Sequence, residues 1–357
     1  MLKIWLRLHG FELCSWTFVW DNLRTAFEAQ GDEILYEDTP ENPEEWIELW
    51  WGDPQYWQWS GLPVKAKIAL ALSEAHSILE RGRDRVIDNI NEADMLICPS
   101  EFATTAFKEA PIDTPMRIVF FGVDDKEFKY VDRNWNSTIK FLHGGVTQFR
   151  KGSWLVPEAF IDTFDRSDDV SLTIASPKPT DMFVKLKMEY GNHPNIDFIS
   201  DMQDSAMDLY SDHHVYVSPH LSEGFGLMIP EAMATGMPCL VARCSSPREF
   251  FDEKYGWWVE MSEGYAAVSQ CLPQTNGFWR IPSVKSLAKG MKRAYDSVNE
   301  SKEKGIAGSE YVLESLTWGV CVSKIKKVIE EVLSEEDKCD SSCVQRGTID
   351  RVVLKAV

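Results

Sequence analysis

Short apolar runs alternate with helical stretches along most of this chain, and the alternation breaks once and then restarts. In the first half, apolar runs at 2–8, 34–36, 46–51, 68–72, 95–98 and 117–121 read as strands. Helical patterns at 20–29 (ended by Gly31), at 83–91, and from a Ser100 cap to 108 lie between them. Residues 122–136 are polar and charged and read as a linker. The rhythm then resumes, with strands at 139–143, 171–175, 196–199, 215–218 and 239–242. Helices are expected around 154–164, 182–190, 206–210, 230–235, 286–297 and 320–333. Strands that alternate with helices must pair in parallel, so the expected architecture is α/β, with two Rossmann-like domains facing each other across a cleft. Their limits are set at 1–121 and 139–318, joined by a linker at 122–138. A helix at 319–333 returns toward the first domain, and 334–357 is a tail. A length of 357 residues suits two such cores better than one.

Charge limits what the molecule can bind. Lys and Arg number 37 against 56 Asp and Glu, a net charge of −19, which disfavours a broad surface for nucleic acid or anionic lipid. The first sixty residues alone hold 3 basic and 12 acidic side chains. No apolar stretch reaches eighteen residues and the amino terminus lacks a cleavable signal pattern, so a cytoplasmic protein with reduced thiols is expected. Cys339 and Cys343, four apart in a polar tail, have no His/Cys pair nearby to complete a metal site, and no metal or cofactor is expected.

The segment carrying most chemistry is YVSPHLSEGFGLMIPEAMATGMPCLVARCSSPREF, 216–250. A strand runs into a glycine-bearing loop and then a helix, which leaves backbone N–H groups free for an anion. Glu223 on the loop and Glu231 in the helix are placed to accept sugar hydroxyls. Spacing alone leaves open that they merely favour the helix dipole. A second candidate anion element is FLHGGVTQFRKGSW, with Gly144 and Gly145 after a strand and Arg150, Lys151 and Gly152 before a helix. Cations at a helix start oppose its dipole, so an anionic ligand would explain them; a solvated basic turn is the plainer alternative.

These residues resemble the family 4 (group 1) retaining glycosyltransferases of the GT-B fold. The motif E-G-F-G-L-x-x-x-E-A-M-A-x-G-x-P stands here as E223-G-F-G-L-M-I-P-E231-A-M-A-T-G-M-P. The resemblance implies that Glu223 sits by the donor sugar and that Glu231 holds the ribose hydroxyls. Gly224 and the amides of Phe225, Gly226 and Leu227 would meet sugar and diphosphate, and Lys151 the diphosphate. Arg150 would assist from the other side of its loop, since the family's Arg position is Gly145. NEADMLICPSEF (91–102), RIVFFGVDDKEF (117–128) and LTWGVCVSKIKKVIEEVL (316–333) resemble further family segments. Departures are a single Gly10 where paired glycines are usual, Phe121 for Asn, His220 for Ser, and Ser245-Ser246 for a Gly pair. Met202, after the strand at 196–199, is placed with the donor-binding residues.

On the acceptor side, His76 and Glu74 follow a strand end and are the favoured polar groups, with His9 a third candidate. Five of the 14 tryptophans fall between 46 and 59, and they read as core packing or as an acceptor platform. The implied activity is metal-independent transfer of a sugar, with retention, from a nucleoside-diphosphate sugar to an acceptor hydroxyl. No Asp-x-Asp motif stands in place, so Lys151, Arg150 and loop amides would stabilise the leaving diphosphate. Soluble saccharides, small molecules and proteins are the expected acceptors. A hydroxymethylated base in DNA would need a strip built from Lys65, Lys67, Arg81, Arg83 and Arg85. Competing readings are an epimerase or phosphorylase on the same scaffold, or a non-catalytic nucleotide-sugar-binding protein.

Overall fold

The computed structural model describes residues 1–9, 15–36, 38–75, 77–78, 82–200, 206–270 and 277–344, with the side chains of 9, 15 and 335–344 outside the description. The first lobe is a six-stranded parallel sheet in the order β2-β1-β3-β4-β5-β6. Its strands are β1 (Lys3–His9), β2 (Glu33–Leu35), β3 (Ile47–Gly52), β4 (Ala66–Leu70), β5 (Met95–Cys98) and β6 (Met116–Ile118). Helices α1 (Ser15–Ala29), α2 (Arg83–Asn91) and α3 (Glu101–Lys108) connect them. Side chains alternate across the pleat. Ile4, Leu6, Leu49, Trp51, Ile68 and Leu70 are buried in one cluster with Val19, Leu23 and Phe27 of α1. On the opposite face Trp50 and Ala69 pack with Val86 and Ile90 of α2 and Ala103 and Phe107 of α3.

The second lobe repeats the plan in the order β12-β11-β10-β7-β8-β9. Its first strands and helices are β7 (Ile139–Gly144), α4 (Leu155–Thr163), β8 (Val170–Ser176), α5 (Asp181–Tyr190) and β9 (Ile196–Ser200). They are followed by α6 (Ala206–Ser211), β10 (Val215–Ser218), α7 (Met228–Ala234), β11 (Cys239–Ala242) and β12 (Gly256–Val259). An antiparallel pair, β13 (Met261–Ala267) and β14 (Phe278–Pro282), precedes α8 (Val284–Asp296), α9 (Val298–Ser315) and α10 (Trp318–Val344). Strand order reverses between β7 and β10. Loops leaving the carboxyl ends of these two strands therefore diverge around a crevice, the usual ligand position in a doubly wound sheet.

Several expectations shift by a few residues, and some elements were not foreseen. Helix α1 begins at Ser15 instead of 20, and the strand expected at 117–121 is β6, ending at Ile118. Helix α10 continues past Ser334 to Val344, where a loose tail was expected. Helix α9 escaped the apolar pattern because four of its five buried residues are Ser301, Gly305, Gly308 and Ser309, with Val312 the fifth. Close approach explains that choice: a Cβ on Gly305 would lie 2.1 Å from the Gly236 carbonyl oxygen. Trp257 sits in β12 and is buried, in line with the core reading. Among the described cysteines, Cys98, Cys239, Cys244 and Cys321 are free thiols, and the first, second and fourth are buried.

The segment between the lobes is firmly anchored. Arg133 is buried and donates to the carbonyls of His213, Tyr210 and Thr235 and to the Thr235 hydroxyl. Burial lowers its pKa to about 10. Val123 pairs with Thr317 of the returning chain, its N–H donating to Leu316 O at 2.8 Å and its O accepting from Trp318 N–H at 3.2 Å. Helix α10 then lies on the first lobe, where Gln30 Nε2 donates to Gly319 O (2.8 Å) and Lys326 pairs with buried Asp32. Gly122 makes this crossing possible, because a Cβ there would lie 2.2 Å from Trp318 N. Gly122→Ala is therefore expected to destabilise the protein by about 2–3 kcal/mol, the usual scale for overpacking. Urea unfolding checks this; an unchanged midpoint would show that the crossing tolerates the methyl group.

Candidate functional site

The loops after β7 and β10 bring the two sequence-predicted anion elements together. The β7 loop turns through Gly152, whose φ of +66 is left-handed. A Cβ at this position would also sit 1.9 Å from Pro219 O. Only glycine fits there, and it sets Arg150 and Lys151 against the β10 loop. Lys151 Nζ lies 2.5 Å from Glu223 Oε1, and Arg150 Nη1 lies 3.1 Å from Glu223 Oε2. Arg150 Nη1 also donates to Ser222 O at 2.7 Å. Its Nη2 reaches across to Glu74 Oε1 of the first lobe at 2.8 Å. Glu223, Lys151, Arg150 and Glu74 thus form one cluster between the two sheets.

The electrostatics divide the four groups. Burial opposes the charge on Glu223, but Lys151 and Arg150 overcome it and hold its carboxyl down at about 2. Glu74 moves the other way, raised by burial despite Arg150. The two cations also differ in access. The Arg150 side chain is 8% exposed and that of Lys151 21%, so an incoming anion meets the lysine. Burial lowers His143 and His220 to about 4, so both imidazoles are neutral. His143 is fixed between Val217 O and Ser153 Oγ, each at 2.8 Å. His220, the departure after Pro219, is fully buried beside Ser218 and lies under the loop.

Glu231 lies in α7, nearly buried, and its Oε2 accepts the Tyr210 hydroxyl proton at 2.8 Å. Burial raises it to about 7 against that hydrogen bond. Tyr210 was not foreseen as part of the site; it lies on α6, ahead of β10, with nothing in the local pattern to mark it. The N–H groups of Phe225, Gly226 and Leu227 have no hydrogen-bond acceptor among the described residues. Phe225 itself is buried, its ring 5.4 Å from Phe121 and 5.0 Å from Phe250. Helix α7 spans only Met228–Ala234, so these unpaired amides matter more here than any long helix dipole.

The Ser pair at 245–246 acts on the same loop. Ser245 has φ +51 and ψ −155, a conformation that only glycine adopts without strain, and its Oγ accepts the Glu223 N–H at 2.9 Å. Ser246 Oγ donates to Gly224 O at 2.7 Å and lies 2.6 Å from Ser100 Oγ, the cap of α3 in the first lobe. Glu249 completes this contact by accepting the N–H groups of Glu101 (2.7 Å) and Phe102 (2.8 Å) at the start of α3. Gly224 packs under Leu72: a Cβ on it would come within 2.6 Å of Leu72 Cδ1. Ser222 Oγ donates to Glu74 O at 2.6 Å. The lobes therefore meet at the loop that carries Glu223. Sequence reading identified Ser100 as a cap but not as a partner of Gly224 or Ser246.

His76, Gly10 and Met202 lie outside the described residues, as does the side chain of His9. The Trp-rich stretch resolves toward core: Trp46, Trp50, Trp51 and Trp57 are buried, and Trp59 donates to Asn89 O at 2.8 Å. Of the basic strip considered for DNA, Lys67 is paired with Glu92 at 2.6 Å. No group of three or more His, Cys, Asp or Glu side chains among the described residues is placed to hold a metal ion. No helix among them is long and apolar enough to cross a membrane.

Comparison with known proteins places this geometry. Residues 139–273 match the family model of glycosyl transferases group 1. Sucrose-phosphate synthase (tll1590) from Thermosynechococcus elongatus superposes with a TM-score of 0.69 at 14% identity, over 94% of this chain and 100% of that one. Anabaena Alr3699/HepE, in complex with UDP and glucose, gives 0.69 at 12% identity over 93% and 100%. WaaG, a glycosyltransferase involved in lipopolysaccharide biosynthesis, gives 0.64 at 13% identity over 92% and 99%. No curated protein matches the chain in sequence. The second lobe, which carries Lys151, Glu223 and Glu231, is thus similar to the group 1 glycosyl transferases, and the chain has the two-lobe GT-B fold along nearly its whole length.

Proposed function

We propose that the protein transfers a sugar, with retention and without a metal ion, from a nucleoside-diphosphate sugar to an acceptor hydroxyl at the meeting point of the two lobes. The observation that carries this reading is the convergence of Lys151, Arg150 and the unpaired amides of Phe225–Leu227 on Glu223. The diphosphate approaches the β7 loop and meets the accessible Lys151, while the loop amides take phosphate oxygens. When Glu74 carries a proton the cluster holds two cations against one carboxylate, an excess suited to a leaving diphosphate. Charge that grows on the leaving oxygen is then stabilised by groups already in place. Complexes of structural neighbours with UDP support a uridine donor.

Glu223 is assigned to orienting the donor sugar. Each of its oxygens already holds a cation, and the ionised carboxylate remains free to accept sugar O–H groups, so it is not assigned as a nucleophile. Arg150 is a positioning residue, because it is buried and ties Glu223 to Ser222 O and to Glu74. Lys151 is the phosphate ligand, and Glu231 receives the ribose hydroxyls. The acceptor is assigned to His76 and Glu74, and Gly10 and Met202 are assigned to the donor. The deprotonated acceptor attacks from the face the diphosphate leaves, and the phosphate oxygen takes its proton. Acceptors are saccharides, small molecules or proteins, and the protein acts in the cytoplasm.

Release of nucleoside diphosphate from a panel of sugar nucleotides tests the reaction directly. UDP should appear with at least one donor, an anomeric product of unchanged configuration should form, and EDTA should leave the rate as it was. Binding without turnover for every donor and acceptor tried would make the protein a lectin-like binder of nucleotide sugars. Lys151→Met should lower kcat by about a hundredfold or more, the usual loss for a charge-stabilising donor.

Glu231 gives a second, independent test through pH. Its folded pKa of about 7 lies above its ordinary value of 4.5, so the folded state holds the proton more tightly. Its contribution to stability is complete below 4.5 and is lost as pH rises through about 7. Glu231→Gln should remove that decline, a difference on the order of 2 kcal/mol between pH 5 and 8 in urea unfolding. In the wild type UDP affinity should rise from pH 6 to 8 as the carboxylate ionises. A Gln variant that kept this rise would mean that another group receives the ribose.

A further inference from the structure

The connection from β2 to β3 crosses the sheet face opposite α1, and a parallel crossover normally places a helix there. Among the described residues of 36–46 the one helical element is the 3-10 turn Pro43–Glu45. The sheet surface over β1 and β3 is left to side chains, and a cavity of about 560 Å³ lies above it, lined by Trp5, Arg7, Tyr36, Thr39, Trp50 and Ser60 among others. That volume falls within the ordinary range for small-molecule sites.

The floor is built with care for polarity. Arg7 stands opposite Trp50 in the β1–β3 register, and its guanidinium lies 4.5 Å from the ring centres of both Trp5 and Trp50. Its Nη1 donates to Glu48 at 2.9 Å. Glu48 is fully buried and also accepts from Trp50 Nε1 (3.2 Å) and from the Ser60 hydroxyl (2.8 Å) and N–H (3.2 Å). The arginine is thereby fixed in place and its charge matched. Beside it Trp5 is 4% exposed, and its Nε1 is buried with no partner among the described residues. An unpaired buried donor costs about 1–3 kcal/mol, and of the seven such indole N–H groups among the described residues this one belongs to a side chain that lines the groove beside Arg7. At the rim Tyr36 is 48% exposed and is steadied by an edge contact with Trp20 at 5.4 Å.

We infer that this groove is a saccharide-binding site, separate from the donor site, and that its ligand is a neutral sugar. The Tyr36 ring supplies a face for the C–H side of a pyranose, while Trp5 Nε1, Arg7 and the Thr39 hydroxyl bond its oxygens. A free anion is the poorer fit, because Glu48 already balances Arg7 and the first sixty residues carry nine more acidic than basic side chains. The site does not rest on the transfer reaction, and its test reads binding, not turnover.

The experiment titrates the UDP-saturated protein with neutral mono-, di- and trisaccharides of gluco, galacto and manno configuration, by calorimetry and saturation-transfer NMR. At least one should bind in the millimolar range or tighter, as expected for a small open site. Trp5→Phe keeps the ring and removes the donor, and Tyr36→Ala removes the rim. Each should weaken that sugar by about tenfold, on the order of one lost contact, with UDP affinity unchanged. Absence of binding by every sugar under saturating UDP overturns the site, as does equal binding by both variants. A uronic acid that binds more tightly than its neutral parent overturns the neutral assignment.

Discussion

A carboxylate almost closed to water, Glu223, lies between a guanidinium and an ammonium, and much of the molecule is arranged to keep it there. A buried ion that loses one partner is strongly destabilising, so the loops that bring the partners together cannot drift. Gly152 supplies the left-handed turn that delivers both cations from β7. Ser245 accepts backbone strain to hold the Glu223 amide from the β11 side. The reversal of strand order between β7 and β10 is what lets two loops that are distant in sequence face one another.

The same loop is also the contact between the lobes. Counting protons shows how tightly it is linked: each serine has one, and a chain from Ser100 to Ser246 to Gly224 O satisfies the short contacts among them. Glu249 caps α3 from the other lobe, so the first lobe's helix start and the β10 loop are held by neighbouring residues of one turn. Behind this polar contact lies an aromatic one. Phe121, where the family pattern has Asn, packs its ring within 5.7 Å of Trp51, Phe225 and Trp318, taking one partner from β3, one from the β10 loop and one from the returning helix. The substitution that looked like a departure in the sequence is a joint between the lobes.

Legibility followed the kind of force involved. Parallel strands buried on both faces, such as 215–218 and 239–242, read directly as apolar runs and stand where expected. Helix α9 did not, because glycine and serine form most of its buried face and the driving contact is backbone proximity. At the site, Lys151, Glu223 and Glu231 were visible because they stand in a long local motif or beside a glycine turn, where residue type and spacing can be read together. Tyr210, Ser246 and Glu249 act through hydrogen bonds to residues distant in sequence, and no spacing announces such bonds. Arg150 was legible as a cation but not as a buried one, since its access is set by Glu74 from the opposite lobe.

That asymmetry reaches the Trp-rich stretch, where core packing and sugar contact seemed to be alternatives. In the structure one residue borders both the core and the groove. Trp50 is buried against Trp57, and it also forms one side of the sandwich around Arg7 at the floor of an open groove. The absence of an α-helix among the described residues between β2 and β3 creates that situation, because a sheet face without a helix must be closed by its own large side chains. Tryptophan fills the space, yet it brings an N–H that needs an acceptor, and arginine brings a charge that needs a carboxylate. Glu48 answers the second need from within the protein. The first is left at Trp5, and a polar groove beside an unpaired donor is a binding surface by the same physics that explains its packing.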